Sequence, residues 1–123
     1  MEELINNVEQ WSDNKGITDK SSPEVQWMKV IEELGELSKA ISESREDDMV
    51  DGFGDVLVTL IIENYLLRKS GKLKENQTVE HCLGVAYDVI KDRDGEIVDG
   101  MFIKEERINN YEHPLYTGRT NNG

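Results

Sequence analysis

The chain has 123 residues, 26 of them acidic against 14 basic, and a formal net charge of −12 at pH 7. That length suits one domain with a single core. The charge excludes a binder of nucleic-acid backbones, which needs a basic stripe, and disfavours an anionic membrane surface.

A single cysteine, Cys82, leaves no intramolecular disulfide and fits a reducing compartment. The start, Met1-Glu2-Glu3-Leu4, lacks the basic and then apolar run of a signal peptide. No apolar stretch approaches the length of a membrane span. These features predict a cytoplasmic protein with no membrane partner.

Taken in order, Leu4, Ile5, Val8 and Trp11 recur at helical spacing, and Gly16 stops a first helix over residues 2–14. Trp11 reads most simply as a core anchor. Thr18 to Ser22 reads as a polar linker. Ser22-Pro23-Glu24 is a helix start: a capping hydroxyl, proline in the first turn and an acid at the positive helix end. The helix it opens runs to about Ser44. Along it Ile31, Leu34, Leu37 and Ile41 form an apolar stripe bordered by Glu33. Lys29 lies one turn before Glu32 and Glu33; it is either a surface ion pair or a phosphate contact that also braces a glutamate.

A third helix begins near Glu46 or Asp47 and ends by Ser70-Gly71. From Val56 to Ile62 it is apolar almost all round, which means burial on every side. A chain this short has too few helices to surround it, so packing against a second copy, as a homodimer or homotetramer, is expected. A buried strand is the competing reading of that run. The continuation from Glu63 to Lys69 favours one long helix, in which Asn64 either lines the site or, the preferred reading, satisfies a neighbouring backbone group. Thr78 caps a fourth helix whose buried face is Val79, Cys82, Leu83, Ala86, Val89 and Ile90. Cys82 is then a core thiol and His81 an exposed or capping residue. Asp94-Gly95 and Asp99-Gly100 are turn dipeptides around Glu96–Val98 and Met101–Ile103, a hairpin or an extended segment. The fold class expected is all-α, a four-helix-type bundle over residues 1–108 followed by a polar tail, 109–123.

The acids are the informative residues. Glu32 and Glu33 lie one turn from Glu36, and Asp51 one turn from Asp55. If the two helices are antiparallel neighbours, up to five carboxylates converge. A hard divalent cation with oxygen ligands, Mg²⁺ or Mn²⁺, resolves their repulsion. In an acidic chain the simpler reading of any one glutamate is a solvated face. Here, however, Glu33 borders an apolar stripe and Asp55 runs straight into Val56-Leu57-Val58, so a metal site is favoured.

Glu32-Glu33-Leu34-Gly35-Glu36-Leu37 followed by Gly54-Asp55-Val56-Leu57 resembles the MazG-like nucleotide pyrophosphohydrolases, especially the short single-domain forms common in phages. The family pattern is a Glu-Glu-x-x-Glu helix and then a Glu-x-x-Asp helix. Glu32, Glu33, Glu36 and Asp55 match it, whereas Gly52 stands where the second helix should open its motif, with Asp51 the nearest substitute. Lys91 and Arg93 match in kind a later element that touches substrate phosphates; Asp88 stands where that element has Asn.

The resemblance spans roughly residues 5–105. It implies a metal-dependent enzyme that splits a nucleoside triphosphate, (d)NTP, into monophosphate and pyrophosphate by direct attack of water. Glu33, Glu36 and Asp55 would be the principal metal ligands and Asp51 a ligand to a second ion. Glu32 would be a further ligand or the base that orients the water. Lys91, Arg93 and Lys29 would hold phosphates. Trp11, Gln26 and Trp27 would line the base pocket. In a phage the compartment would be the host cytoplasm. Two rivals stand beside this reading. A di-iron carboxylate bundle requires Glu-x-x-His on two helices, and neither His81 nor His113 follows a glutamate by three. A non-catalytic acidic interaction protein, with a decayed metal site, would spread its acids evenly.

Overall fold

The computed structural model describes residues 1–105; the expected tail, 109–123, lies outside them. The chain is all-α with one small hairpin. Its elements are α1 (Glu2–Asn14), α2 (Ile17–Lys20), α3 (Pro23–Ser42), α4 (Glu46–Lys69), α5 (Val79–Ile90), β1 (Gly95–Val98) and β2 (Met101–Lys104). They fall into two compact units, Met1–Gly84 and a second from Val85 onward, the boundary lying inside α5. Among the described residues no helix is long and apolar enough to cross a membrane.

The first unit is built on an αα-hairpin. Ser22 starts α3 as expected: its hydroxyl accepts the Val25 N–H at 3.2 Å, and Pro23 follows it. Ser44, at φ 54°, supplies the left-handed step that turns the chain into α4. Glu46, Asp47 and Asp48 sit at the positive end of α4, Arg68 and Lys69 at its negative end.

The seam between α3 and α4 follows one rule on both sides. Gln26, Val30, Glu33, Leu37 and Ala40 are buried on α3, and Gly52, Val56, Thr59, Glu63 and Leu66 in matching rhythm on α4, where Ile61, Ile62 and Asn64 are buried as well. Both sets alternate steps of four and three, the spacing of helices that interdigitate at a shallow angle. Gly52 lies against Leu37 while Gln26 bonds the Thr59 carbonyl, so the helices run antiparallel.

The buried stripe differs in phase from the one expected on α3. Ile31, Leu34 and Ile41 stay about half exposed. Two apolar stripes overlap on this helix and share Leu37. The hairpin closes on the one containing Val30 and Ala40, which carries Glu33 inward with it.

α1 packs against α4 through polar contacts around buried Ile5. Tyr65 donates its hydroxyl hydrogen to Asp13 at 2.6 Å, and Arg68 pairs with Glu9 and donates to Asn64 at 2.8 Å. The stretch read as a linker is instead the helical turn α2. Gly16, at φ 79°, makes the left-handed corner, and Thr18 donates to Asp13 at 2.6 Å to hold the turn. Asn64 donates to the Gln77 carbonyl at 3.0 Å, the backbone role expected of it. Thr78 caps α5 by accepting the His81 N–H at 3.2 Å.

No residue of α5 is buried, and Cys82 is exposed rather than a core thiol. In the second unit β1 and β2 pair antiparallel around Asp99-Gly100, both at positive φ (51° and 80°), the geometry of a tight two-residue hairpin turn. Gly95, expected in a turn, lies in β1. A Cβ there would meet the Ile103 carbonyl and, at 2.6 Å, the ring of Phe102.

Candidate active site

Glu33 is a carboxylate in the α3–α4 seam, and only 8% of the residue is exposed. Lys29, one turn earlier, reaches both acids of the motif: its Nζ is 3.4 Å from Glu33 Oε1 and 3.2 Å from Glu32 Oε1. Burial raises the Glu33 pKa most, the charges of Glu36 and Asp55 raise it further, and Lys29 opposes both effects. In return the bond to Glu32 and its charge, followed by Glu33, raise the pKa of Lys29. Helices α3 and α4 thus bring three carboxylates into electrostatic contact, with Glu33 buried and Glu36 and Asp55 exposed. Among the described residues no three His, Cys, Asp or Glu side chains are gathered around one point closely enough to hold a metal ion as they stand.

Glu33 opens on a cleft of about 820 Å³ in the first unit, walled by α1, α2, α3 and α4. Six of the residues singled out in the sequence line it: Trp11, Gln26, Lys29, Glu32, Glu33 and Asp55. Trp11 is not a core anchor; 48% of it is exposed. Gln26 is buried and donates its Nε2 to the Thr59 carbonyl at 3.3 Å. A backbone carbonyl only accepts, so this bond fixes which end of the amide is which. Glu36, Asp51 and Trp27 are exposed outside the cleft wall. Lys91 and Arg93 belong to the second unit, where Lys91 pairs with Asp88 at 3.3 Å.

Gly52 is buried for a steric reason. A Cβ there would stand 2.9 Å from Leu37 Cδ1, 3.2 Å from its Cβ and 3.3 Å from its Cα. Leu37 fills the space into which a side chain at position 52 would project. Asp51, the neighbour with a carboxylate, is exposed.

The profile of the MazG nucleotide pyrophosphohydrolase domain matches residues 21–83, just over half of the chain. The chain belongs to this family. The matched segment contains α3, α4 and the start of α5, hence every acid of the cleft. The chain is also 34% identical over 62 residues to an uncharacterized 18.2 kDa protein in the rep-hol intergenic region of Haemophilus phage HP1. That match covers 50% of this chain and 38% of the phage protein's length. No solved structure matches the chain.

Against the MazG pattern, the first acidic helix is complete in Glu32, Glu33 and Glu36, and the second keeps Asp55 but has Gly52 packed on Leu37. Two further cleft residues, Lys15 and Lys20, went unnoticed in the sequence. Lysines flanking a glycine carry no periodic signal. The corner at Gly16 brings both to the cleft.

Proposed function

We propose that this chain hydrolyses nucleoside triphosphates to the monophosphate and pyrophosphate, with a divalent cation, Mg²⁺ or Mn²⁺, held by Glu33, Glu36 and Asp55. The observation that carries this reading is Glu33 itself. A glutamate placed in a helix seam, with its proton affinity raised by burial and by two neighbouring acids, is costly to keep ionised. Nothing in the packing of the hairpin requires it, since Val30, Leu37 and Ala40 already fill the same stripe. All three side chains offer hard oxygen donors, and their repulsion is what a hard cation relieves, so the donor set fits the ion.

When bound, the ion neutralises phosphate charge and acidifies a water. The remaining work falls to the chain's own side chains. Glu32, which lines the cleft and pairs with Lys29, would accept the proton of the attacking water. Lys29 restrains both glutamates and lies in the cleft where it can also meet a phosphate. Gln26, anchored on Thr59, and Trp11, half exposed in the same cleft, offer an amide and a ring to the base. Asp51 as ligand to a second ion and Trp27 at the base complete the proposal for this unit.

A homodimer or homotetramer is part of it. Ile31, Leu34, Phe53 and Leu57 are large apolar residues left about half exposed on α3 and α4, and α5 buries nothing. Sedimentation velocity tests this directly, and a monomer at micromolar concentration would end it.

The enzymatic test is a panel of NTPs and dNTPs with Mg²⁺, Mn²⁺ or EDTA, with the products resolved. Monophosphate plus pyrophosphate, abolished by EDTA and by Glu36→Gln, is the expected outcome. Diphosphate plus orthophosphate would refute the site of cleavage. No turnover with either metal would favour the acidic interaction protein, with Gly52 as the lesion.

A further inference from the structure

The cleft contains two cations that neither the family pattern nor the acid site explains. Lys15 caps the end of α1, Lys20 ends α2, and both line the cleft that holds Glu33 and Asp55. The corner between them is Gly16 at φ 79°. The Lys20 stem folds back over it, its Cε and Cδ lying 3.7 and 3.8 Å from where a Cβ at Gly16 would sit. The chain has 26 acids, and some of its basic residues pair with them. Lys29, Arg45, Arg68, Lys72 and Lys91 all do. Neither Lys15 nor Lys20 has an ion-pair partner among the described residues.

We infer that Lys15 and Lys20 are the residues that take the polyphosphate tail of the substrate, the α1–α2 corner acting as a cationic wall beside the acidic site. This inference rests on the nucleotide reading above and deepens it. A chain of charge −12 repels a polyanion, so binding one needs local cations that no carboxylate has already neutralised. A lysine ammonium offers three donors and suits phosphate as a point charge. Gly16 permits the corner that brings both lysines to the lining of one cleft. The exposed stems let them follow a flexible tail.

The test is calorimetric titration, in Mg²⁺, of inorganic tripolyphosphate and of an α,β-methylene nucleoside triphosphate. The proteins are the wild type, Lys15→Gln/Lys20→Gln, Lys15→Arg/Lys20→Arg, and the control Lys39→Gln/Lys74→Gln. The control makes the same change in net charge at exposed lysines outside the cleft. The expected result is a loss of about tenfold or more for both ligands in the cleft pair alone, with a shallower salt dependence. The arginine pair should bind like the wild type. Equal affinities for the two glutamine pairs would overturn the inference and leave the nucleotide reading standing. Lysine-dependent binding of tripolyphosphate without binding of the nucleotide would support the wall and overturn the nucleotide reading. Binding of neither ligand by the wild type would overturn both.

Discussion

Replacing Gly52 by alanine tests how the hairpin closes. The new Cβ would sit 2.9 Å from Leu37 Cδ1, which a rotamer change can relieve, but also 3.3 Å from Leu37 Cα, which moves only with α3. Ordinary carbon contacts lie at about 3.5–4.0 Å, so the helices must part by a few tenths of an ångström along the seam. Overpacking of this kind costs about 1–3 kcal/mol. Alanine in a helix interior returns about 1 kcal/mol relative to glycine. The net loss is therefore at most about 2 kcal/mol. Gly54, two residues on, and Gly35 on α3 have no atom of the described residues within 4 Å of the same position. Their alanine variants keep only the helical gain. Urea denaturation followed by tryptophan fluorescence and by far-ultraviolet circular dichroism, at matched concentration, should place Gly52→Ala about 1–3 kcal/mol below Gly54→Ala. If Gly52→Ala proved as stable as Gly54→Ala, the close approach to Leu37 would be wrong, and with it the account of why position 52 lacks a carboxylate. Leu37→Ala relieves the Cδ1 contact, leaves those of Leu37 Cβ and Cα, and costs its own buried side chain, so the coupling is read from a double-mutant cycle, in which the two single losses should sum to more than the double loss.

Three further outcomes follow from buried or bonded acids. Because the folded pKa of Glu33 is raised, the penalty on its charge is felt at neutral pH and vanishes below the usual carboxylate pKa. Glu33→Gln should raise the metal-free unfolding midpoint at pH 7, lose that advantage near pH 4, and fail to turn over nucleotide; a midpoint lowered equally at both pH values would contradict the site's strain. Glu63 is likewise buried, its Oε1 has no hydrogen-bond partner among the described residues, and its pKa is raised first by burial and then by Glu24, with Lys72 opposing. Glu63→Gln should stabilise the protein at pH 7 and be neutral near pH 4, read by thermal denaturation; a loss at pH 7 would mean that the carboxylate is paired in solution. Asp13 shows the opposite sign. Hydrogen bonds from Thr18 and then Tyr65 lower its pKa, so their stabilisation is present above the usual Asp pKa and is lost as pH falls through the folded value. Tyr65→Phe should cost about 1–3 kcal/mol at pH 7 and progressively less below pH 4, and an undiminished cost in acid would assign the effect to packing.

Much was written in the sequence because it depends on neighbours along the chain. Ser22-Pro23-Glu24 specifies a helix start by its own hydrogen bond and ring geometry. Thr78 does the same for α5, and Asp99-Gly100 dictates a two-residue turn through its positive φ angles. Glu32, Glu33 and Glu36 share a turn whatever packs against them. Tertiary structure decided what periodicity leaves degenerate. α3 carries two apolar stripes that share Leu37, and only closure against α4 chooses the one that contains Val30 and Ala40 and carries Glu33 inward. The α1–α2 corner shows the same division. Gly16 announced a break, but the bonds from Thr18 and Tyr65 to Asp13, the second of them across 52 positions, turn Lys15, Lys20 and Trp11 toward the acids. Local rules set each element because their energies are spent within a turn or two of helix. The site belongs to contacts between elements, which no stretch of sequence contains by itself.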